Sequence, residues 1–524
     1  MAENQRAVGS VTYREADQEY FARRKLRRHA AFWSLWALGV GAVISGDFYG
    51  WNLGLDAGGF GGLLIAGVVI TIMYYGLCYS IAEMSPALPH TGGAYSFARS
   101  AMGPWGGFIT GLAENMEYVI TPAVVVGAMG FLSHDIVYEL TGADGWWNSP
   151  VLWWAIFYIV FVGINILGIE ITMRFTVLIT VAALGVLAFF YVAVLVTQSF
   201  SADLLTNIPP DEGGSSFLPH GIAGIFPALP FAIWFYLAIE ELPLAAEESH
   251  DPKKDIPRAT IWGLNTLVLF AILTLFLNTG VGGGAASIGT SATPLFDGFK
   301  AVFGEGTGAA ILALIGLIGL IASFFTIIYA YGRNTYSLSR AGYFPQVLSI
   351  THPTRNTPHV ALIVGAVIGY ALSLLIYFLG QSESAVAGKI VGALLYMAVF
   401  GAVISYFMQC LSFIVLRRKL PNIERPYRSP LGVGGAAVAG VIALVALVSL
   451  FLNEDYRPGV YGTLVYFVIG LLYFAIVGRH KLVLSPEEEF AISHGRHGAN
   501  LQEEGYGTVS VTEIGTDEPT RTES

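Results

Sequence analysis

The chain has 524 residues, of which 54% are hydrophobic and only 12% charged, with a formal net charge of −10 and a mean hydropathy of +0.62. Soluble domains carry about 25% charged residues, so a mainly soluble protein is excluded. The two cysteines, Cys78 and Cys410, lie far apart in apolar runs, which leaves no disulfide framework and no Cys-x-x-Cys metal site.

The first 28 residues are polar and basic, and no convincing cleavage site follows the first apolar run, so that run is expected to stay in the protein. Crossing hydrocarbon takes about 20 apolar residues. Twelve runs qualify: 31–55, 59–84, 104–133, 150–169, 175–198, 221–246, 260–281, 309–332, 359–379, 390–416, 433–453 and 460–478. Of the 27 lysines and arginines, 24 fall in the two tails or in the loops after even-numbered runs, leaving Lys300, Lys389 and Arg457 for the other face. Basic residues mark the cytoplasmic side, so both termini are expected there.

The first run contains GVGAVISGDFYGWNLGL, Gly39–Leu55. Ser45 and Gly46 are poor helix formers and Asp47 follows where hydrocarbon should be, so a break is predicted at 45–47, with helix resuming over 48–55. The backbone groups freed at such a gap, here around Ile44, Ser45 and Gly46, cannot face lipid. They must line a cavity, and in transporters such gaps hold the substrate. A carboxylate at Asp47 would lie near the N-terminus of the resumed half-helix, where the dipole favours negative charge. Transporters with broken helices use that place for the substrate's own carboxylate, so a substrate with an amine and no carboxylate suits this arrangement.

The acids Glu114 and Glu117 in the third run are three residues apart and share one helical face. The sixth run carries a second predicted break, Phe226–Glu241, in which Pro227 and Pro230 each remove an intrahelical donor. Trp234, Phe235, Tyr236, Glu240 and Glu241 follow. Trp234 and Tyr236 are candidates to cover an ammonium by cation–π contact, worth about 0.5–2 kcal/mol. Interrupted helices five runs apart point to the site of an inverted-repeat transporter.

Asp47, Glu114, Glu117, Glu240 and Glu241 all fall within these runs, and no lysine or arginine does. An ionised side chain at a helix centre costs about 2.5–3.5 kcal/mol on insertion scales. The acids are therefore protonated or wait for a cation from outside. Elsewhere the signals are bland. Gly280–Gly289 lacks a following Gly-Lys-Ser/Thr, so it is no phosphate cradle. Glu247, Glu248, His250 and Asp251 before Pro252 read as a cytoplasmic helix end rather than metal ligands. Residues 485–524 are polar, acidic and aperiodic and are expected to be disordered. No nucleophile–base pair, metal, cofactor or nucleic-acid partner follows from the residues, and an enzyme is not expected.

The glycine-rich break, AAEESHDPKKDIPRA (Ala245–Ala259) and RRKLPNIERPYRSP (Arg417–Pro430) resemble the amino acid–polyamine–organocation superfamily over about residues 30–480. ISGDFYGWN (Ile44–Asn52), LPHTGGAYSFAR (Leu88–Arg99) and GPWGGFITGLAENMEY (Gly103–Tyr118) are similar, more narrowly, to the ethanolamine permeases. The resemblance implies uptake of a small organic amine across a bacterial inner membrane. Its fold would be an all-α integral membrane protein of twelve transmembrane helices: two inverted five-helix repeats, with helices 1 and 6 broken, plus two C-terminal helices. Ser45-Gly46-Asp47 departs from the Gly-x-Gly-Ile break of many superfamily members. The lysine that some proton-coupled relatives carry in span five has no counterpart in 175–198.

The expected organisation is an N-terminal tail (1–30), a transport core (31–416), a cytoplasmic loop (417–432), two further helices (433–478) and a largely disordered tail (479–524). Asp47 would bind the ammonium beside Ile44, Ser45 and Gly46. Trp234, Tyr236 and Glu240 would form the opposite wall, and Glu114 or Glu117 would tune charge or carry a proton. The partners are then a small-molecule amine and the lipid bilayer. The coupling ion, for which a proton is one candidate, and the oligomeric state are not specified by the residues. The alternatives are an amino-acid or polyamine permease of the same architecture, or an amine sensor that does not transport.

Overall fold

A computed structural model describes residues 5–497 apart from 15, 17, 143, 305–307, 382–384 and 453. Among the described residues, ten helices are long and apolar enough to cross a membrane, from Leu53–Ala87 to Arg457–His480. The two expected spans that are not among them, 31–55 and 221–246, are the interrupted ones. They appear as the shorter apolar helices Phe32–Phe48 and Ile222–Ile233. The Gly316–Arg340 segment is 83% buried and Arg457–His480 only 17%, so the former is central and the latter peripheral. Peripheral helices turn large apolar side chains outward, for instance Leu178, Val192, Phe378 and Ile469, as lipid contact requires.

The first break lies later than the sequence predicts, and the second falls in the later part of the predicted Phe226–Glu241 stretch, after both prolines. Ser45–Phe48 is helical, and the chain leaves the helix only at Tyr49, which is extended (φ −162°, ψ 166°). Gly50 follows with φ +92°, and helix resumes at Leu53. In the second interrupted helix, Ile225–Ile233 is regular despite Pro230. Its gap comes afterwards, through Trp234–Leu237 to Ala238 at φ +83°, and a 3₁₀ segment Ile239–Glu248 continues the chain. Proline did not break this helix because its missing donor is replaced: the orphaned carbonyl of Phe226 accepts from Ser449 Oγ at 2.7 Å.

A small three-stranded sheet joins the chain's two ends. Gln5–Val8 pairs antiparallel with Val11–Arg14, which pairs parallel with Leu482–Val483. Beyond it, Pro486–Ile492 is helical, with Glu487, Glu488 and Glu489 fully buried. This corrects the expectation of disorder from residue 485: charge pairing orders the segment, and apolar periodicity could not report it. The rest of that expected tail, 498–524, lies outside the described residues. At the same end Arg417 and Arg425 both reach Glu83, at 2.5 and 3.1 Å, which pins the 417–432 loop.

The two interrupted helices touch where the end of the first half-helix meets the start of the second gap. A Cβ on Gly46 would stand 1.9 Å from the Trp234 carbonyl oxygen, so only glycine allows this approach. Gly46→Ala should lower stability by about 1–3 kcal/mol, the usual cost of overpacking. Gly127→Ala, where an added methyl meets nothing within 4 Å, should be close to neutral. Thermal unfolding of both variants in one detergent checks this.

Candidate functional site

The first half-helix is held by hydroxyl groups. Ser45 N–H donates to Ser323 Oγ (2.9 Å), and Ser323 Oγ donates in turn to the Gly41 carbonyl (2.9 Å). Ile44 lies buried between them in helical conformation. Past the break, Asn52 gathers the irregular chain. Its Oδ1 accepts from Gly50 N–H (3.1 Å), and its Nδ2 donates to the carbonyls of Ile288 (2.7 Å) and Ser291 (2.9 Å). The glycine-rich 280–289 stretch thus caps the gap instead of cradling phosphate.

Asp47 is fully buried. Thr274 Oγ donates to its Oδ1 at 2.8 Å and lies 2.5 Å from the Tyr191 hydroxyl, while Oδ2 has no protein partner. Asn278, one turn beyond Thr274, has both side-chain polar atoms unpartnered. Because 45–48 is helical, Asp47 sits in the last turn of the first half-helix. The macrodipole there opposes a carboxylate, contrary to the sequence expectation. Its stabilisation must come from Thr274 and from whatever meets Oδ2.

Trp234, half-buried, packs its ring against Tyr49 at 6.1 Å between centroids and lies over Gly50. Tyr236 shares a 2.7 Å hydroxyl contact with Thr71, and its ring meets Tyr74 at 5.0 Å. Tyr74 OH donates to Tyr406 OH at 3.0 Å. This aromatic row leads toward the other acids, since Tyr406 lies near Glu117 and Glu240.

Those acids have different neighbours from Asp47. Glu114 Oε2 accepts from Asn334 Nδ2 at 3.2 Å. Glu117, facing Glu240, has neither oxygen partnered. Glu240 Oε1 accepts from Tyr118 OH at 3.4 Å, and its Oε2 has no partner. Glu241 is unpartnered at both oxygens. The five acids therefore form two groups: Asp47 against Thr274 and Tyr191, and the four glutamates among Tyr118, Tyr406 and Asn334.

Two cations lie just past the end of the eighth expected run, 309–332. The helix that begins at Gly308 runs on to Arg340, and Arg333 and Arg340 are both fully buried. Arg333 makes a two-pronged bond to Glu248 (2.9 and 3.0 Å). Arg340 does the same with Glu247 (2.6 and 2.8 Å). Glu247 and Glu248 thus serve ion pairs, and no group of three His, Cys, Asp or Glu side chains that could hold a metal occurs among the described residues. Asn52, Tyr74, Tyr191, Thr274, Asn334 and Tyr406 escaped the sequence reading because lone polar residues in apolar runs resemble packing. Only the i, i+4 pair Thr274 and Asn278 offered a signal.

Two interrupted helices in contact inside a bundle of apolar helices, with unpartnered carboxylates beside the gap, define a membrane transport protein. The family described as "Amino acid permease" matches residues 31–476, and the chain belongs to it. An uncharacterized transporter of Rhizobium meliloti is 29% identical over 86% of this chain and 91% of its own length. A branched-chain amino acid permease of Bacillus subtilis is 26% identical over 90% and 99%. A methylthioribose transporter of the same organism is 25% identical over 88% and 95%.

The environments separate the two acids of the third span. Glu114 already accepts a hydrogen bond, whereas Glu117 faces Glu240 with no donor, and two close carboxyl groups resist joint ionisation. Glu117→Gln should shift the pH dependence of uptake, and Glu114→Gln should leave it nearly unchanged. Uptake against pH in proteoliposomes checks this; matching profiles for Glu117→Gln and the parent would remove the pair from proton handling.

Proposed function

We propose that this permease imports ethanolamine or a similar small cationic amine by alternating access, with Asp47 as the ammonium ligand. The observation that carries the reading is Asp47 Oδ2, buried without a protein partner next to the contact between the two interrupted helices. A primary ammonium is a donor of the right charge for it. Ser45 and Gly46 form the adjoining backbone, Trp234 and Tyr236 offer aromatic faces, and Glu117 with Glu240 serves as the protonation or charge-tuning pair. On this reading residues 31–416 are the moving core, in two inverted five-helix repeats, and 433–478 a two-helix appendage, twelve spans in all. The setting is a bacterial inner membrane with both tails in the cytoplasm. Protease added outside right-side-out cells should then leave a tag after Ser524 intact, and loss of the tag would reverse the orientation.

The second reading is an amino-acid permease, favoured by the family and by relatives that carry amino-acid permease names. Competition separates the two: ethanolamine should displace labelled ethanolamine far better than leucine or alanine does, and equal competition by a zwitterion would favour the second reading.

The sharper test is Asp47→Asn, which keeps size and removes charge. Breaking a buried ion pair by removing one partner costs about 3–5 kcal/mol. Ethanolamine affinity should therefore fall by about two orders of magnitude or more, with little loss of folding stability, since a buried carboxylate goes with it. Binding to the detergent-stable variant within about threefold of the parent would transfer the ammonium role to Glu240.

A further inference from the structure

The C-terminal helix Pro486–Ile492 is too short to be stable alone, yet it carries three consecutive fully buried glutamates. Its acids meet basic and phenolic groups from several separate segments. Glu488 accepts from Arg99 Nε (2.6 Å), Tyr343 OH (2.8 Å) and Tyr95 OH (3.2 Å), and also from Tyr13 OH. Glu487 pairs with Arg340 and accepts from Ser337 Oγ at 3.3 Å. Phe490 packs into an apolar cluster with Met84, Phe97 and Leu416. Burial alone would push the Glu487 carboxyl up, but the Arg340 guanidinium, helped by His90, outweighs it and holds the group below its ordinary range. The carboxylate is therefore charged at neutral pH.

Arg340 is the link that matters. The guanidinium that holds Glu487 also holds Glu247, the last stretch of the second interrupted helix. The tail therefore joins the Ala94–Thr141 helix, the Gly308–Arg340 helix and the end of that interrupted helix. We propose that Pro486–Ile492 is an intramolecular latch on the mouth of the transport path at the tail face, and that it must undock before the path opens on that side. An ordinary structural brace would stay docked throughout. The proposal rests on the reading of the chain as a transporter whose tails face the cytoplasm.

Charge-assisted hydrogen bonds of this kind are strong, but removing one partner strands the other. The test variant is therefore the double Arg99→Gln, Glu488→Gln, which removes both charges together. Glu487→Gln, which leaves the Arg340–Glu247 pair in place, is the second variant should the first not fold. A reporter cysteine is placed at Ser45 after Cys78→Ala and Cys410→Ala. It is labelled with a membrane-impermeant maleimide in inside-out and in right-side-out vesicles of the full chain. The latch predicts labelling from the tail face about tenfold faster or more in the released variant, as expected for loss of a charge-assisted contact, and unchanged labelling from the opposite face. Equal rates in parent and variant, or acceleration only from the face opposite the tails, would overturn it. Labelled-ethanolamine counterflow in vesicles of the parent and the released variant that both keep native Ser45 holds the questions apart: no counterflow in the parent with accelerated labelling sinks the amine reading and leaves the latch standing.

Discussion

A membrane helix that stops in mid-span must find partners for the peptide groups it frees, because hydrocarbon supplies none. Here polar side chains supply such partners along both interrupted helices. Ser323 ties Ser45 to Gly41, Asn52 bridges the first gap to the 288–291 loop, and Ser449 takes the carbonyl that Pro230 orphans. The Gly46 backbone then lies close enough to the Trp234 carbonyl to exclude any side chain. That approach fixes the two gaps against each other, so any tilt of one interrupted helix must carry or break its contact with the other.

Charge sorts itself along the same bundle. The buried pairs Arg99–Glu488, Arg333–Glu248 and Arg340–Glu247, with the half-buried pair Arg417–Glu83, lie at the end where both tails dock. Beside the gaps, Asp47, Glu117, Glu240 and Glu241 have oxygens that accept no hydrogen bond from a neutral donor, with Glu117 and Glu240 facing each other. Buried polar atoms in proteins are nearly always paired, so the contrast carries meaning. Paired charges hold one end of the bundle in register, and on the reading proposed above the unpaired ones are where an external proton or cation would complete the structure.

What the sequence could tell follows from this division. Apolar length located the helices, since hydrophobic thickness is a linear property of the chain. It also singled out the first and sixth spans as interrupted, because Gly, Pro and acids in apolar runs are local signals. It placed the first gap a few residues early, and within Phe226–Glu241 it laid the second gap to prolines that the helix tolerates. Ser45–Phe48 stays helical because Ser323 caps it from a distant helix, and Pro230 is tolerated because Ser449 replaces its missing partner. The same limitation reversed the dipole argument for Asp47. The buried tail was illegible for a related reason: Glu487 and Glu488 look like solvated acids until Arg99 and Arg340 are brought to them from hundreds of residues away.

Arg340 shows how such long-range pairing can couple parts that the sequence keeps separate. Its guanidinium serves Glu247, on the segment that leaves the second gap, and Glu487, on the tail. A planar guanidinium has five donors in a fixed fork, so it can serve two carboxylates only while both keep their places. If the 239–248 segment swings outward, Glu247 must leave Arg340 or pull it along, and either change alters what holds Glu487. Undocking of the tail in turn leaves Arg340 with Glu247 alone and free to follow it. On the latch proposal the two motions would be thermodynamically linked, and by reciprocity whatever favoured one would favour the other. The helix end beside Asp47 meets the start of this second gap at Gly46 and Trp234, so on the latch proposal the tail and the candidate amine site would be coupled through it.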